Sequence, residues 1–321
     1  ERRNHPSIIM WVPFNKSWGQ FETKWLTGWV KEYDDTRLVN NASGWHDGGV
    51  GDVIDIHTYP GPSSPPSDGA RAMVIGEFGG LGLPVSGHTW QDEKNWGYKS
   101  YKDSDALTDA YLELVAKLKP LIGGGLSAAV YTQTTDVEVE VNGILTYDRE
   151  VMKMDAEKIA AANRSLYEKR YRAETVMPDA HHGENLWKYR ISKPAGDWYA
   201  PEYDDSKWRE APGGFGGKEI RNTVTRTEWN GAGLWLRKFF NLGSDNFDGL
   251  FLSVAAAQET RIYINGIPAA QLDGGGTGYA YIRPSEKALA SMKPGKNTIA
   301  VQCKQLIGEH YFDMGIVRVV E

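Results

Sequence analysis

Arg3-Asn4-His5-Pro6-Ser7-Ile8-Ile9-Met10-Trp11-Val12-Pro13-Phe14-Asn15-Lys16 opens the chain with a short apolar run, Ile8–Val12, framed by prolines and leading into a polar exit. Similar runs follow at Leu38–Asn40, Val53–His57, Met73–Gly76 and Leu126–Thr132. Each is short and apolar, as parallel strands buried on both faces tend to be. Longer amphipathic stretches separate several of them. The clearest spans about Asp105 to Lys119, where Leu107, Tyr111, Leu114, Val115 and Leu118 recur at helical spacing until Gly123-Gly124-Gly125 stops it. A last helix is expected near Asp155–Tyr171. Strands alternating with helices predict an α/β unit over residues 1–172.

Past that point the pattern changes. Residues 173–183 contain Pro178, two histidines and a glycine without periodicity, and are expected to form a linker. From 184 to 321 the chain reads as short strands with turn signals: Leu234–Leu242, Gly249–Ala256, and Glu259–Leu272 broken by Asn265-Gly266, a strong hairpin signal. An antiparallel β-sandwich or jelly roll is expected there. Two domains also suit the 321 residues, more than one core usually holds. The glycine-rich segments Pro212–Gly217 and Gly274–Gly276 lack the strand-loop-helix setting of a phosphate cradle and read as loops.

Composition excludes several function classes. A net charge of -6 with scattered Lys and Arg gives no footprint for nucleic acid. Cys303 is the single cysteine, which excludes a disulfide framework or a cysteine-rich metal site within the chain and leaves the compartment open. No apolar run is long enough to span a membrane. The start, Glu1-Arg2-Arg3, lacks an initiator Met and a signal-peptide pattern, so the chain is expected to be part of a longer protein. The 12 tryptophans serve either core packing or sugar stacking, and composition does not choose between the two.

In an α/β barrel the reactive groups lie just past the C-terminal ends of strands. Four exits here are polar: Asn15-Lys16-Ser17-Trp18 after the first run, His57-Thr58-Tyr59-Pro60, Gly76-Glu77-Phe78-Gly79-Gly80, and Tyr131-Thr132-Gln133. Glu77 follows Met73-Val74-Ile75 and precedes two glycines, so a carboxylate is delivered to the mouth of a buried strand. By position alone a structural ion pair explains it equally well.

Arg3-Asn4-His5-Pro6-Ser7-Ile8-Ile9-Met10-Trp11, followed four residues later by Asn15, resembles the family 2 glycoside hydrolase segment in which Arg-Asn-His-Pro-Ser leads into the fourth barrel strand and Asn-Glu ends it. Ile75-Gly76-Glu77-Phe78-Gly79 is similar to that family's seventh-strand segment, and Asp55–Tyr59 and Val130–Gln133 to its sixth and eighth. The resemblance implies a partial (β/α)8 TIM barrel, strands four to eight, followed by a sugar-binding-type sandwich. It further implies a retaining β-glycosidase of the β-galactosidase type acting on an oligosaccharide-derived β-glycoside, with no cofactor or metal. Glu77 would then be the nucleophile, Asn15 the partner of the sugar 2-hydroxyl, and Tyr59 the holder of the nucleophile. His57, Trp45, Tyr131 and Gln133 would line the sugar pocket. Lacking three strands, the barrel would carry two unpaired edges and be completed by other residues, another chain or self-association.

One residue departs from the pattern. The family has glutamate directly after the asparagine, where this chain has Lys16. Retaining glycosidases need two carboxyls about 5 Å apart, one of them alternating as acid and base, and an ammonium with an ordinary pKa of about 10.4 does neither job. Beside Glu77 it would form an ion pair worth roughly 3 kcal/mol at 5 Å and an effective dielectric near 20. Two readings follow: a glycosidase compromised at Lys16, or a carbohydrate-binding pseudoenzyme. A third, a metal-dependent hydrolase built on His181-His182, is weak, because adjacent histidines in an extended chain face opposite sides.

Overall fold

The structure, a computed structural model, describes residues 2–321 apart from 17–18, 218–222, 244–246, 275 and 305–309. Two of the exit residues singled out above, Ser17 and Trp18, thus lie outside the described residues, as does Gly275. Contacts divide the chain into two compact units, Glu1–Arg170 and Tyr171–Glu321.

The first unit runs β1 (Met10–Trp11), α1 (Thr23–Tyr33), β2 (Leu38–Val39), β3 (Val53–Thr58), β4 (Ala72–Gly79), β5 (Leu81–Gly82), β6 (Lys99–Ser100), α2 (Ser104–Gly123), β7 (Leu126–Thr132) and α3 (Ala156–Glu168). Every apolar run read from the sequence forms a strand, and all their ladders are parallel: β1 with β2, and β3-β4-β7 in that order. Between β2 and β3 polar groups make the link. Val39 N donates to the Asp52 carboxylate (2.7 Å) and Asp52 N to Val39 O (2.9 Å).

Helix α2 begins where Asp103 accepts a bond from Ala106 N and buries Leu107, Tyr111, Leu114, Val115 and Leu118, the stripe expected from spacing. It continues past Lys119 to Gly123, where Gly124 N closes onto the carbonyls of Pro120 (3.0 Å) and Leu121 (3.1 Å) and Gly125 takes φ +104. Helix α3 is shorter than expected, ending at Glu168.

Burial on both faces is not what the structure shows for the outer strands. Ile9 is 73% exposed and Val130 55%. Among the described residues β1 pairs only with β2, and β7 only with β4, so apolar side chains beside both edges remain in water.

The second unit comprises β8 (Arg172–Met177), β9 (Leu186–Arg190), β10 (Arg209–Pro212), β11 (Phe215–Gly216), β12 (Thr227–Glu228), β13 (Gly233–Leu242), β14 (Leu250–Ala256), β15 (Glu259–Ile264), β16 (Ile267–Leu272), β17 (Gly276–Ile282), α4 (Glu286–Ser291), β18 (Gly295–Lys304) and β19 (Tyr311–Val320). They form two sheets, β10-β9-β13-β18-β15-β16 and β12-β11-β19-β14-β17 with β8 beside β19. All pairs are antiparallel except β11–β12. Trp187, Leu236, Ile262 and Val301 of one sheet meet Leu252, Phe312, Met314 and Ile316 of the other in a single buried cluster.

Within the segment expected as a linker, β8 forms a ladder with β19, since Met177 reaches the core and draws its strand into the sheet. Phe215, expected in a glycine loop, is buried and paired for the same reason. Asn265 (φ +49) and Gly266 (φ +82) turn the hairpin between β15 and β16, as the dipeptide predicts. His181 and His182 do not converge. His182 Nδ1 meets Asp179 at 2.6 Å, while the His181 ring packs edge-on to Tyr279.

Candidate active site

The site is built by one irregularity in β4. Ile56 pairs with Ile75, but His57 pairs with Glu77, so Gly76 is an extra residue in the ladder. Such bulges re-aim side chains, and here the shift sets Glu77 opposite His57. Glycine is required at 76, because a Cβ would run into the Asp55 carboxylate and the Ser43 hydroxyl. Asp55 occupies that space as an acceptor, taking bonds from Gly76 N (2.6 Å), Asn40 Nδ2 (2.6 Å) and Ser43 Oγ (2.6 Å).

Ser43 orients His57. Its one proton goes to Asp55, so its oxygen accepts from His57 Nε2 (2.7 Å) and that nitrogen carries hydrogen. His57 Nδ1 then faces the site, 3.1 Å from both Lys16 Nζ and Glu77 Oε2. That nitrogen serves one of the two at a time: with its lone pair free it accepts from the lysine, and only when it carries hydrogen does it donate to the carboxylate.

Lys16, held by its backbone N–H on Ser43 O (2.8 Å) with a positive φ of 67, donates its ammonium to Glu77 Oε2. The Tyr59 hydroxyl reaches the same oxygen at 2.5 Å and lies 3.1 Å from Thr132 Oγ1. Burial would raise the Glu77 pKa, but bonds from His57, Lys16 and Tyr59 outweigh it and hold the carboxyl at about 2. The Tyr59 phenol is pushed the other way, first by burial and then by the carboxylate it contacts. Glu77 is therefore an anion at neutral pH, with one oxygen saturated by donors. Lys16 Nζ also lies 5.3 Å from the Trp45 ring and 5.9 Å from the Tyr59 ring.

The residues singled out from sequence divide into two groups. Lys16, Tyr59 and His57 meet around one oxygen of Glu77, and Trp45 stands behind them, its Nε1 donating to His57 O (3.2 Å) and its ring edge-on to His57. Asn15 is exposed beside Lys16, bridged to Ser43. Tyr131 packs against Phe78, Tyr111 and the bare face of Gly79, a packing position. Gln133 points into its own loop, donating to Asn142 Oδ1 at 2.8 Å. Sequence reasoning missed Ser43, Asp55 and Thr132, whose roles appear only when β2, β3 and β7 are set side by side. It also missed Tyr98, whose ring stacks on Tyr59 at 3.7 Å.

A second group of possible ligand atoms, His88, Asp148 and Glu150, lies among the described residues of the first unit. His88 Nδ1 is 2.8 Å from Asp148, the distance of a hydrogen-bonded pair, and Thr146 together with His88 holds Asp148 at a pKa of about 2.

Residues 1–60 match the family model described as glycosyl hydrolases family 2, TIM barrel domain. The resemblance to family 2 glycoside hydrolases read from Arg3–Trp11 and Asn15 therefore holds. No curated protein matches the chain. Among solved structures, a glycosyl hydrolase family 2 member from Bacteroides cellulosilyticus is 17% identical over 42% of this chain and 20% of its own, with a TM-score of 0.29. A β-glucuronidase from Ruminococcus gnavus in complex with D-glucaro 1,5-lactone is 10% identical over 47% of this chain and 30% of its own, with a TM-score of 0.32. For a β-glycosidase from Bacteroides vulgatus the values are 16%, 45%, 20% and 0.28. The chain thus spans less than a third of the length of these structures, and such scores transfer no residue from them to this chain.

Proposed function

We propose that residues 1–172 are the back of a retaining β-glycosidase barrel in which Lys16 occupies the acid/base position and Glu77 is the nucleophile. The observation that carries this reading is the convergence of Lys16, His57 and Tyr59 on Glu77 at the C-terminal end of a parallel strand. In this reading β1, β2, β3, β4 and β7 are barrel strands four to eight, and residues 184–321 are a jelly-roll accessory domain. The substrate is an oligosaccharide-derived β-glycoside held between aromatic walls.

The geometry supports half of a double displacement. A carboxylate kept ionised down to about pH 2 is available to attack an anomeric carbon, and Tyr59 stabilises it without taking its charge. Among the described residues Glu77 is bonded by Lys16, His57 and Tyr59, none of them a carboxyl, so in this reading protonation of the leaving oxygen and deprotonation of water are both unassisted. A non-catalytic sugar-binding role is the alternative, favoured by the Lys16–Glu77 ion pair, which neutralises the nucleophile.

The test is a series of aryl β-glycosides of graded leaving-group acidity, run with this chain and with Lys16→Glu after the barrel has been completed. Activated glycosides should be cleaved by both. Disaccharides should be cleaved about 10²–10⁴-fold faster by Lys16→Glu, the usual worth of general acid catalysis. If the glutamate variant gains nothing on any β-glycoside, the sugar-binding reading replaces the hydrolase.

A further inference from the structure

The aromatic surface around Glu77 does not end at Tyr59. Tyr98 lies flat on the Tyr59 ring, centroids 3.7 Å apart and planes within 4°, and Trp96 stands edge-on to Tyr98 at 5.4 Å. Both are substantially open, Tyr98 46% and Trp96 43% exposed. The result is a continuous aromatic wall running outward from the nucleophile.

The wall is built rather than incidental. Tyr98 N donates to Gly80 O (3.0 Å), and Gly80 adopts φ +66 where a Cβ would strike both the Tyr98 and Tyr59 rings, so only glycine lets the stack close. Trp96 is pinned on both sides of its backbone, its N–H on Val139 O (2.9 Å) and its carbonyl accepting from Val141 N (2.9 Å). A large aromatic held rigid by its backbone yet left open to water is the form of a stacking platform, since its ordering cost is met before a ligand arrives. The rim is acidic: Glu140 accepts from Asn142 Nδ2 at 2.8 Å. Glu140 is bridged to Trp96 through the backbone, which sets its carboxylate beside the platform, and with Glu77 it raises the Tyr98 phenol after burial does.

We propose that Tyr98 and Trp96 form a leaving-group subsite for an uncharged pyranose, stacked on its apolar face, with Glu140 accepting its hydroxyls and disfavouring an anionic unit. This rests on the reading of Glu77 as the centre of a glycoside site and adds the chemical class of the group next to it.

The test is binding to the full chain with Lys16 in place, measured by calorimetry and tryptophan fluorescence. The probes are methyl β-galactoside, β-glucoside and β-mannoside, the matching β-1,4-linked neutral disaccharides, and the same disaccharides ending in glucuronic acid. For whichever glycon binds, the neutral disaccharide should bind about tenfold more tightly than the monosaccharide, as a well-placed aromatic contact allows. Trp96→Ala should erase that advantage and leave monosaccharide binding unchanged, with Trp96→Phe restoring part of it. The glucuronic acid disaccharide should lack the advantage in wild type and regain it in Glu140→Gln. If the advantage survives Trp96→Ala, or the uronate binds as tightly as the neutral sugar, the subsite is overturned while the site at Glu77 stands. If no monosaccharide binds and Trp45→Ala changes nothing, both fall.

Discussion

Replacing Lys16 with methionine keeps its length and removes its charge, which isolates the ion pair from packing. Glu77 is held at about 2 against the usual 4.5. At 1.36 kcal/mol per pKa unit this difference corresponds to about 3 kcal/mol, the net of burial, which raises the pKa, against bonds from His57, Lys16 and Tyr59, which lower it. Lys16, partly exposed and so partly screened, contributes about 1 kcal/mol of it. Lys16→Met should therefore move the Glu77 midpoint up by about one pH unit, toward the ordinary value. Because the folded pKa is depressed, the associated stability is fully present above pH 4.5 and fades as pH falls toward 2. The variant should accordingly be less stable than wild type by about 1 kcal/mol at pH 6, and equally stable near pH 2. The titration is read by side-chain carboxyl carbon NMR, with Glu77→Gln assigning the signal, and the stability by urea unfolding at both pH values. A midpoint that stays near 2, or a destabilisation equal at both pH values, would refute the electrostatic account of the pair.

Two further expectations concern the scaffold. Lys153 is buried with its ammonium on Asp136 (2.6 Å), Val141 O (2.9 Å) and Leu83 O (3.2 Å), tying three loop segments of the first unit. Lys153→Met leaves the buried Asp136 without its cation, held among the described residues only by Gly143 N (2.7 Å), and should cost about 3–5 kcal/mol in urea unfolding; a loss below about 1 kcal/mol would show the pair to be dispensable. Gly76→Ala forces Asp55 and Ser43 apart and should cost about 1–3 kcal/mol while raising the Glu77 midpoint, as His57 loses its orientation. A variant with wild-type stability and titration would remove the bulge from the explanation.

Strands β1, β2, β3, β4 and β7 were legible because each is an apolar run bounded by turn residues, and α2 because its stripe repeats at helical spacing, whereas the two-residue strands β5 and β6 carry no such run. Asn265-Gly266 was legible for a similar local reason, both residues needing positive φ. What the sequence hid are the contacts between distant segments. Ser43, Asp55 and His57 are separated by 12 and 14 residues and form one chain of hydrogen bonds. Tyr59 and Tyr98 stack across a far longer separation that leaves no periodic trace. Gly76 carried a signal that was available: a glycine directly before the key carboxylate, inside a strand, marks a bulge or a close approach. Strand edges mislead in the other direction, since Ile8–Val12 and Leu126–Thr132 have the composition of buried strands while Ile9 and Val130 face water. Composition records what a strand was selected to pack against, and the described residues do not cover these side chains.

The central claim, that Glu77 is a nucleophile beside a lysine in the acid/base position, is tested most directly by intact-mass analysis after incubation with a 2,4-dinitrophenyl β-glycoside. Attack on such a substrate needs little acid assistance, whereas hydrolysis of the glycosyl ester lacks its base. The chain should gain the mass of one glycosyl residue, located on the peptide containing Glu77, and Lys16→Glu should turn over without accumulating it. A label on another residue, or no label in either protein while the substrate is bound, would contradict the account.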